Sequence, residues 1–485
     1  MLQDVHTQLY IDGEWRESSD GARHDVLTPA TGERIGDAAW ATTADVDAAV
    51  AAAKASFERG DWSALSGRER ARVLIRIAAL IRERSEELAI AESVDVGKPI
   101  LFTRVVDVPT AADTFEYYAA LAQTQAGEIR DTTLPAFQYT TREALGVIGA
   151  LTPFNFPLIL AASKLAPALA VGNSVVHKPA EDTPLSAAIL ARILEDAGLP
   201  RGVYNLITGT GPALGERIVE HPDVAMIAFT GSTAVGAKVA AKCGELGKGV
   251  MTELGGNGAN LVFADADIDR AVEATINAFV FNTGQFCMAG VRLLVERELH
   301  DPLLAALAAA IPHVPIGDIA DMGTVIGPLV SQRHLDRVHG FVKRAVAAGG
   351  TIVTGGEPLE RGGFYYPPTV ITGLGNDAEA VQEEVFGPVL TVQTFDTEEE
   401  AIALANSTRY GLAMGIQTSD IVKAMRIAKR LEAGLIWVND WGKLDPTVTF
   451  GGTKASGTGR ENGPEALHHY TRTKSVVIAT PPVAD

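Results

Sequence analysis

The segment from Leu145 to Gly236 constrains the fold most. Short apolar, β-branched runs alternate there with stretches of helical periodicity. Residues 146–151 read as a buried strand, 158–170 as a helix closed by Gly172, 174–178 as a strand and 183–197 as a helix. The pattern continues with a strand at 203–207, a helix at 213–220, a strand at 224–229 and a helix from Thr233. Such alternation predicts a parallel sheet, because parallel neighbours need a crossover and helices supply it. Ligands of open parallel sheets gather beyond the carboxyl ends of the strands. Chemistry-bearing residues just after each strand are therefore the first to weigh.

The flanks extend the same picture. Residues 7–40 read as short strands with turns at Asp12-Gly13 and Thr31-Gly32. Helical periodicity covers 43–57 and 66–92, with Asp45 and Ser66 as caps and Gly97-Lys98-Pro99 as the stop. A second α/β block starts near Leu254. It has strands at 260–263, 292–295, 390–395 and 435–438, and helices at 268–282, 331–348 and 397–405. With 485 residues the chain is too long for one core, and two or three units are expected.

Composition excludes several classes. A net charge of −19 repels nucleic acid and anionic membrane. Cys243 and Cys287 are too few for a disulfide framework, and the ten histidines show no metal-ligand spacing, so no metal is expected. The N-terminus lacks a basic segment followed by an apolar run. The longest apolar stretch, 158–176, is broken by Lys164, Pro167 and Asn173, short of the roughly 20 residues a span needs. The expectation is a cytoplasmic protein.

Five segments carry candidate chemistry. Cys287 follows Asn282-Thr-Gly-Gln-Phe at the end of a helix; alone, a buried structural thiol is the commoner reading. Glu253 precedes Leu-Gly-Gly-Asn257 and reads either as a general base or as a solvated hinge glutamate. Asn155, in Thr152-Pro-Phe-Asn-Phe-Pro157, could donate to an oxyanion or simply form a turn. Lys178 and Glu181 follow a strand and could hold ribose hydroxyls or form a surface ion pair. Phe229-Thr-Gly231-Ser232 leads into a helix, an arrangement that accepts phosphate on backbone N–H groups, although the G-x-G-x-x-G spacing is incomplete. Gly209-Thr-Gly211 is a further close-approach turn.

Taken in order, these segments resemble the aldehyde dehydrogenase superfamily of the NAD(P)-dependent, non-acylating type. Glu253-Leu-Gly-Gly-Asn257 is similar to its glutamate signature and Phe279 to Gly290 to its cysteine signature. Phe154-Asn-Phe-Pro157, Phe229-Thr-Gly-Ser232, Glu384-Val-Phe-Gly-Pro388 and Phe450-Gly-Gly452 with Ser456-Gly457 add to the match. The resemblance implies an α/β fold with a Rossmann-type cofactor domain (1–123 and 145–252) and an α/β catalytic domain (253–440). Residues 441–469 would return to the tunnel and the cofactor domain. Residues 124–144 and 470–485 would form a small β oligomerisation element, giving a homodimer or homotetramer.

The implied chemistry is oxidation of an aldehyde to an acid. Cys287 would attack the carbonyl, Asn155 and the Cys287 N–H would hold the oxyanion, and Glu253 would activate water against the thioester. Lys178 and Glu181 would bind the adenosine ribose, Ser232 the pyrophosphate, Val235 the adenine, Glu384 the nicotinamide ribose and Phe386 the ring. Thr152, Phe154, Gly211, Phe229, Gly231 and Leu254 would complete that cleft. A carboxylate at 181 favours NAD over NADP, which Lys178 partly offsets. Phe156, Ser163, Phe286, Met288, Trp441 and Phe450 would line the substrate tunnel. Three residues depart from the family pattern: Phe154 in place of Trp, Ser163 in place of a bulky residue, and Phe286 in place of Val or Ile. The aromatic wall favours an aromatic or medium aliphatic aldehyde. A semialdehyde or an amino-aldehyde is the alternative: Lys443 could meet an acidic tail or be a solvated loop lysine, and Asp440 or Asp445 could attract an amino-aldehyde. A coenzyme A-acylating enzyme should lack Glu253, and a non-catalytic relative should have lost Cys287, Glu253 or Asn155. Esterase activity of the same thiolate would be a side reaction.

Overall fold

The computed structural model describes residues 5–480. Its central sheet has eight strands. Five adjacent strands run parallel: Gly249–Glu253, Val224–Thr230, Val147–Leu151, Ser174–Lys178 and Tyr204–Leu206, in that spatial order. Val147–Leu151 and Ser174–Lys178 are buried at every position, as expected when helices cover both faces. The chain moves outward from Val147–Leu151 on one side, then returns to its other side at Val224–Thr230. That reversal opens a crevice between these two strands at their carboxyl ends.

The second sheet has seven strands. Thr369–Thr372, Val389–Phe395, Arg292–Glu296, Ala259–Val262, Ala413–Gln417 and Leu435–Val438 are parallel neighbours, with Thr351–Thr354 antiparallel at one edge. A two-stranded ribbon pairs Thr471–Ala479 with Ala136–Ala144 over nine residues. Among the described residues no helix is long and apolar enough to cross a membrane.

Several sequence expectations need correction. The stretch 66–92 is two helices, Gly67–Glu83 and Ser85–Val96, broken at Arg84 (φ −97°, ψ 26°). Apolar periodicity runs through the break, so the pattern conceals it. Asp45 does not cap its helix; Thr42 does, while Asp45 completes a capping box from inside the first turn. The helix Ile268–Val280 stops two residues before Asn282. The helices Val108–Ala122, Arg297–Ala310 and Ile421–Ala428 and the strands Thr369–Thr372 and Ala413–Gln417 were not foreseen. Ala413–Gln417 has a weak strand sequence (AMGIQ). Its Gly415 lies where a side chain would strike the Trp441 ring.

Asn173 locks the part of the fold that presents the crevice. Its Oδ1 accepts from the N–H groups of Leu145 (2.7 Å) and Gly146 (3.0 Å). Its Nδ2 donates to the carbonyls of Ala168 (3.3 Å) and Tyr470 (2.9 Å). One fully buried amide thereby ties the strand Val147–Leu151, the helix Pro157–Ala170 and the start of the C-terminal strand. Asn173→Ala leaves those groups unsatisfied, at a cost on the order of 3 kcal/mol. Thermal melting is expected to drop by roughly 3 °C. An unchanged melting temperature would show that water replaces the amide.

Candidate active site

Every candidate read after a strand lies at the carboxyl end of the eight-stranded sheet. Thr152 and Asn155 follow Val147–Leu151, Lys178 and Glu181 follow Ser174–Lys178, and Ser232 follows Val224–Thr230. Glu253 is the last residue of its strand. Thr152 is fixed by a hydrogen bond with His177 Nε2 (3.0 Å), whose Nδ1 meets the Tyr204 hydroxyl (2.9 Å). Burial holds that imidazole down to about 3, so it is neutral.

Cys287 reaches this edge from the second sheet. After the helix Ile268–Val280 the chain turns through Asn282 (φ 50°) and Thr283 (φ 56°), two left-handed residues that are not glycine. Side chains maintain that turn. Asn282 Nδ2 donates to Asn155 O (2.9 Å) and Gln285 O (3.0 Å), and Thr283 Oγ1 donates to Gly327 O (3.0 Å). Gln285 Oε1 accepts from Val330 N (2.9 Å). Asn155 Nδ2 donates to Gln285 O (3.0 Å), two residues before the thiol. The asparagine amide and the cysteine loop are thus built as one unit.

Two glycines let Glu253, Cys287 and Glu384 converge. A Cβ on Gly255 would lie 2.3 Å from Glu384 Oε2, and one on Gly256 would lie 2.2 Å from Cys287 O. Gly256 N–H donates to Glu384 Oε1 (3.0 Å). Glu253 is buried, not a solvated hinge residue, and neither carboxyl oxygen has a partner among the described residues. Burial, then Glu461, push its carboxyl well above the usual range, against the pull of Lys164 and Arg460. Burial also raises Glu384, to about 7. The half-buried Cys287 thiol is pushed up by burial, then by Glu384, Glu253 and Glu461; the Met288 N–H opposes this weakly.

Sequence reasoning missed the group behind Glu253. Lys164 Nζ donates to Thr230 Oγ1 (2.5 Å) and pairs with Glu461, both charges fully enclosed. Ser163, which stands where the family pattern has a bulky residue, shares its hydroxyl proton between Glu461 Oε2 (3.1 Å) and Leu160 O (3.2 Å). The available signal was Lys164 itself, since a lysine inside an apolar helix implies a buried partner.

The opposite wall is the helix Gln332–Ala347. His334 Nε2 bonds Phe386 O (2.7 Å), and Arg337 donates to Val385 O (2.5 Å) and Glu384 O (2.8 Å). Phe154 and Phe386 meet edge to face at 5.8 Å. Val235 is exposed, Phe229 and Leu254 are buried, and Ser232 caps the helix Thr233–Glu245. Glu181 Oε2 accepts from Gly211 N (3.0 Å) and forms no ion pair with the buried Lys178, which donates to Pro179 O (2.8 Å). The donor set fits a dinucleotide. A carboxylate stands at each end for a ribose, and a helix N-terminus beside Gly231 lies between them for phosphate.

Aromatic rings build the remaining wall. Phe156, Phe281 and Phe286 have centroids 5.4–5.9 Å apart, and the Lys98 ammonium lies 3.8 Å from the Phe156 centroid. Trp441 donates to Met288 O (3.1 Å) and packs on Trp437, while Phe450 pairs through its backbone with Glu461. Lys443 and Asp440 pair with each other at 2.6 Å. Among the described residues no group of three His, Cys, Asp or Glu could hold a metal ion. Alkylation of Cys287 by iodoacetamide, followed by intact mass, is expected to accelerate with pH. Its midpoint should lie above that of a free thiol, about 8.5. A midpoint below that value would contradict this electrostatic picture.

A sequence profile described as the aldehyde dehydrogenase family matches residues 15–476. Three solved structures are similar over nearly the whole chain. One, from Burkholderia cenocepacia and provisionally described as an aldehyde dehydrogenase, is 41% identical, covering 99% of this chain and 98% of that one, with TM-score 0.96. A betaine aldehyde dehydrogenase from Staphylococcus aureus in complex with NAD+ is 37% identical, covering 99% and 95%, with TM-score 0.97. An indole-3-acetaldehyde dehydrogenase from P. syringae in complex with NAD+ and IAA is 38% identical, covering 97% and 96%, with TM-score 0.95.

Proposed function

The chain belongs to the aldehyde dehydrogenase family, and from that premise we propose that it oxidises an aldehyde to the carboxylic acid through Cys287, using NAD. The observation that carries this reading is the convergence at Gly255 and Gly256, which sets Cys287 and Glu384 against the end of the Glu253 strand. Cys287 gives up its proton to solvent water, and its thiolate adds to the carbonyl carbon, forming the oxyanion of a thiohemiacetal. Asn155 uses one N–H on Gln285 O, and the other serves the oxyanion together with the Cys287 N–H. NAD, when bound, would accept the hydride that leaves the thiohemiacetal carbon as the oxyanion collapses to a thioester on Cys287. Glu181 and Glu384 would hold its two riboses, Ser232 and the following amides its pyrophosphate, and Phe386 the ring's surroundings. Glu253 then takes a proton from water, and the hydroxide displaces the thiolate from the thioester. Its unpartnered, raised carboxyl is suited to that exchange.

Residues 1–123 and 145–252 form the cofactor domain in this reading, 253–440 the catalytic domain, and 441–469 the returning wall. The ribbon of 136–144 and 471–479 exposes Phe137, Val477 and Ile478, which supports a homodimer or homotetramer. Residues 481–485 of the expected element lie outside the described chain. The Phe156, Phe281 and Phe286 wall and the pairing of Lys443 with Asp440 support the choice of substrate class. Aromatic or medium aliphatic aldehydes suit a ring-lined tunnel.

The test follows reduced nicotinamide across an aldehyde panel. Aromatic and medium aliphatic aldehydes are expected to exceed amino-aldehydes in kcat/KM by at least about tenfold. Cys287→Ala should abolish turnover. Glu253→Gln should still release about one reduced nicotinamide per site in a burst, then turn over at least ~100-fold more slowly. Loss of the burst itself in Glu253→Gln would move Glu253 to the first half of the reaction.

A further inference from the structure

Three ionisable side chains are sealed behind the aromatic wall and take no part in the chemistry described so far. Glu92 lies in the helix Ser85–Val96, Lys98 in the stop that follows it, and Asp107 at the end of a π-helical turn, Thr103–Asp107. All three are buried. Lys98 donates to Asp107 Oδ2, and its ammonium is the one that lies 3.8 Å from the Phe156 centroid. Glu92 Oε1 accepts from Leu158 N (3.1 Å), in the first turn of the helix Pro157–Ala170. That helix has no side-chain cap of its own, so Glu92 supplies from another helix what a cap residue would. Both contacts fall on one short segment. Phe156 and Leu158 follow directly on Asn155, whose amide is committed to the cysteine loop through Gln285 O.

The charges of this cluster balance only if one carboxyl keeps its proton. One ammonium faces two carboxyls, and an unmatched carboxylate in a dry interior is strongly disfavoured. Glu92 Oε2 and Asp107 Oδ1 are both buried, and neither has a hydrogen-bond partner among the described residues. Yet the two carboxyls lie within hydrogen-bonding reach of each other. Two carboxylates cannot satisfy one another, whereas an acid and a carboxylate can. Burial, then Asp107, raise Glu92 to about 8, against the pull of Lys98 and of Ser186 on the helix Leu185–Asp196. Burial raises Asp107 too, but Asp107 holds the Lys98 ammonium directly, so the proton belongs to Glu92. Asp95, on the same helix as Glu92, is itself raised by burial and accepts from Leu185 N (2.8 Å).

We propose that Glu92 is a positioning residue for aldehyde oxidation, held as a neutral acid between Leu158 and Asp107 so that Asn155 and Phe156 stay aligned on the substrate. This rests on the aldehyde-oxidising reading of the cleft, in which Asn155 holds the oxyanion and Phe156 lines the tunnel. As an acid, Glu92 donates through Oε2 to Asp107 Oδ1 and still accepts the Leu158 N–H at Oε1. Asp107 divides its oxygens between Glu92 and Lys98, and Lys98 keeps its place over the Phe156 ring. The contacts close into a ring that leaves the helix at Leu158 and returns two residues earlier at Phe156. Loss of the proton sets two anions against each other and loosens the segment that carries Asn155. The same stop also borders the cysteine loop. A Cβ on Gly327 would lie 2.0 Å from Gly97 O, and Gly327 O accepts from Thr283 in the turn before Cys287.

The test compares Glu92→Gln and Glu92→Ala with the unaltered full chain. Glutamine imitates the neutral acid, accepting from Leu158 and donating to Asp107. Melting curves need no substrate and read the proton alone. A carboxyl that is protonated in the fold and ionised when unfolded loses stability as pH rises from its ordinary 4.5 toward about 8. Glu92→Gln escapes that loss, so its melting temperature relative to the unaltered protein should climb by roughly 2–4 °C between about pH 5 and pH 8. In turnover, Glu92→Gln should keep kcat/KM for the aldehyde within about twofold at neutral pH, and Glu92→Ala should lose at least about tenfold. The unaltered protein's kcat/KM should fall above about pH 8, and that of Glu92→Gln should not. A melting difference that stays constant or shrinks as pH rises would mark Glu92 as ionised and overturn the proposal. So would a folded Glu92→Ala with unaltered kcat/KM; if that variant does not fold, the two pH profiles of Glu92→Gln decide. Absence of turnover with every aldehyde removes the reaction and the positioning role with it. The melting curves still report the Glu92 proton in that case, so the two failures are told apart.

Discussion

The backbone at Gly255 and Gly256 carries no side chains, and the Glu384 carboxylate and the Cys287 carbonyl rest directly on it. A Cβ at Gly256 would strike the Cys287 backbone carbonyl, and one at Gly255 would displace the Glu384 carboxylate, at the place where the carboxyl end of the first sheet meets the amino ends of the second. This close approach removes water from Glu253, Glu384 and the thiol together, and desolvation is the leading cause of each raised pKa.

A cluster of carboxyls of this density needs an internal counter-charge. Lys164 supplies it from within the helix Pro157–Ala170, paired with Glu461 and hydrogen-bonded to Thr230. Removing one partner of such an enclosed pair leaves an uncompensated charge, typically costing about 3–5 kcal/mol. Ser163 completes the arrangement by giving Glu461 a second donor.

The parallel sheet was legible because it is written locally. β-branched runs, glycine stops and helical periods alternate with little interference, and the candidate residues follow the strands at the expected places. What could not be read is set by tertiary contact. Arg84 breaks a helix without breaking its apolar stripe, and Ala413–Gln417 becomes a strand because it lies between Ala259–Val262 and Leu435–Val438. The link from Asn155 to Gln285 spans 130 residues, and that from Ser163 to Glu461 spans 298. No local pattern encodes such pairings. Only the misplaced charge of Lys164 hinted at the second.

Charge is distributed unevenly along the cleft, and this bears on what it can select. At the tunnel mouth Asp440 and Lys443 cancel each other. Beyond the strand Ser174–Lys178, Glu181 and Asp182 face Arg333, with Lys178 nearby. Only the centre keeps an excess of carboxyl groups, with Glu253 unpartnered beside the thiol. In the reading proposed above, selection falls to shape and to the ring faces of Phe156, Phe281 and Phe286. The electrostatic work is confined to the dry interior, where the low dielectric makes each charge count and where the proton moves.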